Sequence, residues 1–533
     1  MARLWSKVTF WRVVAAATLA AGAYATVVRF VMGLGASSNM SDGFPWGIWI
    51  GFDILVGVGL AAGGFTITAT VHLLDLERYR PIVRPTVLTA FLGYLLAIAG
   101  LLFDLGRPDR VWHPMFWWNP HSVMFEIGWC VMLYTTVLAL EFSPMILEPL
   151  GYRKPLRVIH LFTVPLVLAG VMLSTLHQSS LGSLFLIFPG KLHAFWYSLW
   201  LPVLFFLSAV AAGLSMVILE SFLSARAFGR RLELPLLEGL ARVVVVVLTL
   251  YLVVRFQDLG SRSALDGFAL TTGEEQLFAL EVFFGSFLPM ILLSLPPVRR
   301  DRTGLFCSAL LVVLGFVLNR LNTAVTGREG TMDTVYFPTW MEFAVTASLV
   351  CAGFIAFALA ARYLNVFTEE PARSDHRFQE PRGKIGARIG QLALTTFGVA
   401  IVVAALKLKT PAVAAVAPVP AEPVATKRSA LTLPPDLTFP AGKDSPGVVK
   451  FKHRSHVSAG RPDCAVCHAG SFPMMKTVQG IASAGSDRMH GADRCGGCHD
   501  GKRAFAYKEY CEACHTPRPK TAAPSATARG TGR

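Results

Sequence analysis

The chain has 533 residues, 53% of them hydrophobic and 16% charged, with 49 Lys and Arg against 34 Asp and Glu for a net charge of +15. That composition is too apolar for an ordinary soluble enzyme. The basic excess lies mostly in short loops between apolar runs, which argues against nucleic acid as the partner and for a membrane.

Apolar runs of roughly 20 residues, enough to cross a bilayer, are predicted near 13–34, 46–74, 85–103, 121–141, 158–177, 199–222, 240–256, 277–295, 303–320, 342–364 and 389–408. Several carry glycine, as in "LVGVGLAAGGF" (55–65), which suits close helix–helix approach in lipid. The first run has a basic start and a small-x-small end at Ala23-Tyr24-Ala25, the pattern of a cleaved leader. Its apolar stretch continues past Ala25, which favours a retained span. The predicted fold class is an all-α polytopic bundle of about 11 transmembrane helices with a small, loop-rich domain at the end.

Orientation follows from Lys and Arg. Alternate connections hold Arg3, Lys7 and Arg12; Arg78, Arg80 and Arg84; Arg153, Lys154 and Arg157; Arg226, Arg230 and Arg231; and Arg299, Arg300 and Arg302. The loop 365–388 adds Arg373, Arg377, Arg382, Lys384 and Arg388, whereas "SSNMSDGFPW" (37–46) has no basic residue. The positive-inside rule makes the rich loops and the N-terminus cytoplasmic. An odd number of spans then puts the C-terminus outside, in the periplasm of a bacterial inner membrane.

Beyond the last span, the Ala/Pro-rich stretch 409–446 reads as an extended tether and 517–533 as a disordered tail. Between them, 447–516 holds "CAVCH" (464–468), "CGGCH" (495–499) and "CEACH" (511–515). Cys-x-x-Cys-His is the attachment signature of c-type haem. The pairs Cys464 and Cys467, Cys495 and Cys498, and Cys511 and Cys514 form the thioethers, and His468, His499 and His515 are placed to ligate iron. Zinc is the alternative for a single Cys pair, but three repeats with His always in one place argue against it. With His453, His456 and His490, six imidazoles face three irons and bis-His ligation uses them all. Met489 is a rival to His490, since Met/His ligation raises a haem potential. Cys130, Cys307 and Cys351 lie in apolar spans and read as packing residues.

"VKFKHRSHV" with the three motifs resembles the small triheme relatives of the class III multihaem cytochromes. The resemblance implies that His453 serves the first haem, His456 the third and His490 the second. So small a domain has little side-chain core, so covalent haem is expected to supply most of its interior. Over about residues 10–364, "GFPWGIWIGFDILVGVGLAAGGF" (43–65), "LEFSP" (140–144), "HQSSLGSL" (177–184) and "YFPTW" (336–340) resemble the HybB-like membrane subunit of periplasmic nickel–iron hydrogenases, in the NrfD/PsrC anchor family. That family exchanges electrons with membrane quinones. The resemblance makes 1–364 the quinone-interacting domain. The loop 365–388, the extra span 389–408 and the haem module are additions to it. No pair of intramembrane histidines suits b haem, because His72, His160 and His177 fall on different sides or at helix ends.

Ionisable residues inside spans are functional candidates, with helix-pinning ion pairs as the alternative. Asp53, Glu126, His177, Glu281 and Glu342 fall near the outer ends of their predicted helices, with Asp104 and Arg107 just past one. A quinone head needs a hydrogen-bond donor and a proton acceptor, and Asp53, Glu126 and His177, expected at one level, are the choices. Glu281 with Arg255 is expected to be a structural ion pair, and Asp104 with Arg107 either a loop brace or part of the site. Towards the cytoplasm, His72, Arg84, Glu141 and Glu220, with Tyr94 inside a span, are either interface anchors or a proton path.

The expected function is a quinone-reactive subunit relaying electrons between a periplasmic redox partner and menaquinone or ubiquinone. By resemblance that partner is a hydrogenase- or molybdoenzyme-type complex, with an iron–sulfur subunit among the candidates. The rivals are a passive anchor and an ion transporter with a haem sensor.

Overall fold

The computed structural model describes residues 10–41, 44–187, 191–329, 336–367, 384–409, 436–439, 447–456, 490, 495–502, 504, 506, 508 and 511–517. It divides into two compact units, 1–412 and 413–533.

In the first unit, eleven helices among the described residues are long and apolar enough to cross a membrane, the number expected. They are α1 (Phe10–Met32), α2 (Trp49–His72), α3 (Glu77–Asp104), α4 (Val123–Leu147), α5 (Thr163–Ile187), α6 (Leu201–Phe228), α7 (Leu234–Ser261), α8 (Gly273–Ser294), α9 (Arg302–Glu329), α10 (Trp340–Tyr363) and α11 (Ile385–Ala404). The predicted runs find every helix, but the helices extend past several of them because polar residues continue the backbone ladder. The fifth shows it best. "HQSSLGSL" reads as a helix end, yet Ser180 and Ser183 bond the carbonyls of Leu176 and Ser179 four residues back. The Ser183 hydroxyl is absorbed within the helix, whereas the single Ser180 hydrogen is shared between Leu176 and Glu126 on α4, and the helix runs on to Ile187.

Packing sorts the helices into two rings. In the first, α2 packs on α3, α3 on α4, α4 on α5 and α5 back on α2; in the second, α6 to α9 close in the same way. Helices α1 and α10 pair with each other and α10 lies on α3, while α11 lies along α8 and α9. The two rings meet through α6, which touches α2 and α5. At the α2–α6 crossing there is no room for a side chain. A Cβ on Gly63 would stand 2.7 Å from the Gly213 carbonyl, and one on Gly213 would stand 2.3 Å from the Gly63 nitrogen. Such small-residue contacts maximise dispersion where lipid offers no hydrophobic driving force. Alternate helix ends fall at two faces. Face I, where the even-numbered spans α2 to α10 begin, is the one the charge rule predicts to be periplasmic, and face II the cytoplasmic one.

Three stretches depart from α-helix into wider π-helical turns, Trp49–Ile54, Phe283–Phe287 and Asn322–Thr326. Two of them, Trp49–Ile54 and Asn322–Thr326, lie towards face I and Phe283–Phe287 lies at mid-bundle, and each contains or lies within two residues of a buried polar residue: Asp53, Glu281 or Arg320. Such bulges often mark functional sites.

Two motifs far apart in sequence pack together at face I. Phe44 stacks on Tyr336 at 5.0 Å between ring centres, and the Ile48 amide donates to the Tyr336 hydroxyl at 2.9 Å. Tyr336 in turn donates to Glu342 at 2.5 Å. Burial first, and then this bond to a carboxylate, raise the phenol pKa above its usual value. Glu342 also accepts from the Thr339 and Asn39 amides at 2.8 and 3.1 Å, completing the capping box of α10. A Cβ on Gly47 would stand 2.2 Å from the Tyr336 hydroxyl, whereas one on Gly35 would meet nothing. Gly47→Ala is therefore expected to lose about 1–3 kcal/mol, read as a fall in melting temperature that Gly35→Ala does not show.

The second unit contains a three-stranded antiparallel sheet in the order β1–β2–β3, with β1 Leu437–Phe439, β2 Gly447–Phe451 and β3 His515–Pro517. Its register sets Val449 opposite His515. The third Cys-x-x-Cys-His motif is thereby tied to the strand that precedes His453 and His456.

Candidate functional site

Asp53 and Glu126 occupy the first turns of α2 and α4, at the expected level near face I. His177 lies somewhat deeper. Because α5 continues to Ile187 and Glu126 meets Ser180, His177 lies about one helical turn deeper than Glu126, roughly 5 Å at 1.5 Å per residue. The three side chains also face different neighbours. Buried Asp53 accepts from the Thr346 hydroxyl at 2.9 Å, on α10. Half-buried Glu126 accepts from the Ser180 hydroxyl at 2.5 Å, between α4 and α5. His177 is fully buried, with its ring 5.7 Å from that of Tyr94, and neither ring nitrogen has a hydrogen-bond partner.

Around His177 the first ring holds a column of such groups. The Tyr94 and Tyr134 rings meet at 4.7 Å, and Ser174 stands beside both hydroxyls out of hydrogen-bonding geometry. Tyr94 Oη, Tyr134 Oη and Ser174 Oγ are buried and unpartnered. Further towards face II, Glu141 lies near Tyr134, and Glu220 lies beside the unpartnered Thr89 hydroxyl. Sequence reasoning named Tyr94, Glu141 and Glu220 but missed Tyr134, Ser174 and Thr89. Taken singly, a tyrosine, a serine and a threonine in spans carry no signal.

Other candidates make anchoring contacts. Arg84 pairs with Glu148 at 2.5 Å and donates to the Asn365 carbonyl at 3.0 Å, and His72 is exposed at the end of α2. Arg107 does not pair with Asp104. It bridges the exposed Asp109 at 3.0 Å, and that hydrogen bond lowers the Asp109 pKa. Asp104 instead lies near the buried Arg29, whose guanidinium donates to the Phe103 and Leu105 carbonyls. Arg29 is one helix away on α1, a pairing that local sequence cannot show. Arg255 and Glu281 form the expected ion pair at 2.9 Å. Of the intramembrane histidines weighed for b haem, His160 is exposed in a short helix and only His177 is buried.

In the second unit, Cys464, Cys467, His468 and Met489 lie outside the described residues. The described histidines fit haem by two tests. The His456 and His499 rings stand 6.1 Å apart between centres, and those of His490 and His515 stand 6.3 Å apart. Two imidazoles bound trans to one metal at about 2 Å would stand roughly 6 Å apart. His456 Nδ1 lies 3.1 Å from the Lys452 carbonyl and His515 Nδ1 lies 3.2 Å from that of Gly447. A carbonyl can only accept, so Nδ1 carries the proton and Nε2 is left to ligate. His453 Nδ1 is buried without a partner. Among the described residues no three of His, Cys, Asp or Glu gather as a protein-only metal site requires, whereas a porphyrin brings four ligands of its own. The ring pairs differ from the assignment implied by resemblance: His456 stands beside His499 of the second motif and His490 beside His515 of the third.

Comparison with known proteins agrees with this division. Residues 36–328 match the family described as polysulphide reductase, NrfD, and residues 449–516 match cytochrome c7 and related cytochrome c. A Nitratidesulfovibrio vulgaris protein is 40% identical over 368 residues, covering 67% of this chain and 94% of its own length. The probable Ni/Fe-hydrogenase 2 b-type cytochrome subunit of Escherichia coli is 34% identical over 349 residues, 64% of this chain and 88% of that one. The menaquinone reductase integral membrane subunit of N. vulgaris is 29% identical over 395 residues, 68% and 93% respectively.

Proposed function

The chain belongs to the polysulphide reductase NrfD family, and on that premise we propose that it relays electrons between a redox partner outside the membrane and the quinone pool. It does so as the membrane subunit of an oxidoreductase complex of hydrogenase or molybdoenzyme type. Three c-type haems, covalently held by the Cys-x-x-Cys-His motifs, supply one-electron carriers. His453 serves the first, His456 pairs with His499 for the second and His490 with His515 for the third, as the two ring spacings support.

The quinone head is taken up near face I, between Asp53 and Glu126. Either carboxylate, held by a single hydroxyl donor, keeps a free lone pair to receive a quinol proton. The observation that carries the reading is the buried column beneath it. His177, Ser174, Tyr94 and Tyr134 offer five polar atoms with no protein partner, each costing about 1–3 kcal/mol if left dry. Groups that can both give and take a proton, joined by ordered water, would form a route from Glu126 through His177 to Glu141 and Glu220. Electrons that enter and leave on one side move no net charge across the membrane. A proton drawn along this column would.

The test is direct. In liposomes containing the purified protein, a menaquinol analogue should reduce the haems, with a pH change inside that an uncoupler collapses. Haem reduction without any pH change removes the proton route, and no reduction at all leaves the passive anchor.

A further inference from the structure

The second ring, α6 to α9, has a buried polar cluster of its own near face I that the proposed electron and proton routes do not use. Glu281 on α8 is its hub. Its Oε1 accepts from Asn319 at 2.7 Å, and its Oε2 accepts from Trp196 and Asn322 at 2.7 and 2.9 Å. Arg255 Nη2 lies 2.9 Å from Oε1 as an ion pair, outside hydrogen-bonding geometry. Arg320, only 1% exposed, donates to Asn319 Oδ1, Ser208 Oγ and the Phe205 carbonyl at 2.6, 2.9 and 3.1 Å. It lies over the rings of Phe205 and Phe316. Its hydrogen-bond partners, an amide oxygen, a hydroxyl and a backbone carbonyl, are all neutral. At the mouth, Arg262 pairs with Asp258 at 2.6 Å.

Three guanidiniums thus meet two carboxylates, one positive charge in excess. Guanidinium does not deprotonate in proteins, and an uncompensated buried charge is strongly destabilising. A narrow cleft lies against this cluster, lined by Arg255, Arg262, Arg320, Tyr251, Asp258 and Asn319 among others. Its enclosed part has room for an occupant about the size of one water molecule. The groups left over there are donors. Arg255 Nε is buried without a partner, and Arg255 Nη1 donates to the Tyr251 oxygen, so the Tyr251 hydrogen is left to give. The neighbouring acceptors, Asn319 Oδ1 and both oxygens of Glu281, are already occupied.

We propose that this cleft binds one small monovalent inorganic anion of the halide class, held by Arg255 Nε–H and Tyr251 O–H, with Arg320 supplying the compensating charge. Excess charge, spare donors and single-atom space select a halide over a carboxylate or phosphate, and Arg262 at the mouth offers the anion its first contact. The cluster sits between two of the π-helical stretches, Phe283–Phe287 and Asn322–Thr326.

The probe is bromide. Crystals of the full-length protein grown with bromide in place of chloride should show one anomalous peak within hydrogen-bonding reach of Arg255 Nε and Tyr251 Oη. Density there without anomalous signal, an ordered water, overturns the proposal. In solution, wild-type protein should melt at a higher temperature in chloride than in gluconate of equal ionic strength. Tyr251→Phe should need about tenfold more chloride for the same shift, as loss of one hydrogen bond to a charged group implies. Arg320→Gln should show no difference between the salts. Each protein is compared only with itself, so a general loss of stability does not blur the result. Equal melting of the wild type in both salts overturns the assignment.

Discussion

Glu126→Gln is expected to slow quinol-driven haem reduction by about 10²-fold or more, the usual contribution of a positioned acid–base group, while haem content and reduction by dithionite stay normal. The amide keeps the size of the side chain and its bond from Ser180, so only the proton acceptor is lost. Asp53→Asn makes the matching test, with Thr346 still able to donate. His177→Ala should act differently. It lies ten residues inside α5, beneath the quinone head, and is expected to suppress the pH change more than the electron transfer. Full activity in both Glu126→Gln and His177→Ala would place the site elsewhere and favour a bundle that only anchors.

The second large effect concerns the haems. The protein should carry three per chain by pyridine haemochrome, and the ring geometry predicts which histidine belongs to which. Replacing Cys495 and Cys498 by serine removes the middle haem. In that background His456→Ala should leave the remaining spectrum unchanged, because its partner His499 has no iron to share. His490→Ala in the same background should convert one of the two remaining haems to a high-spin form, since His490 faces His515. The reversed pattern would restore the assignment drawn from family resemblance. A response to Met489→Ala alone would make the methionine the ligand.

The chain declares much of this openly. Hydropathy finds all eleven spans because each must satisfy its backbone internally, and the three Cys-x-x-Cys-His motifs are local patterns that need no fold. Local patterns also mislead where partners come from other helices. Arg107 looked like the mate of Asp104 in "FDLGRPDR", but the Arg29 guanidinium on α1 is the one that reaches the Asp104 backbone neighbours. His177 looked terminal because serines followed it, but Ser183 bonds back into its own helix and Ser180 is shared with Glu126 on α4. The π-helical turns, Tyr134 in the column and the excess charge of Arg320 are properties of packing, invisible until α6 and α9 stand side by side. The motifs "GFPWGIW" and "YFPTW" were both visible, but not that Phe44 stacks on Tyr336.

The bare contact of Gly63 with Gly213 has a mechanical meaning. Two backbones that touch without side chains between them act as a pivot. Sliding α2 along α6 by even one residue would bring Ala62 or Val217, each already within 3.1 Å of where a glycine Cβ would be, into the neighbouring chain. The crossing resists sliding of one ring past the other. Any coupling between chemistry at one face and charge uptake at the other must then be done by rotating hydroxyls, turning imidazoles and reorienting water inside a rigid frame. It should persist when the frame is stiffened, for instance by cross-linking α2 to α6.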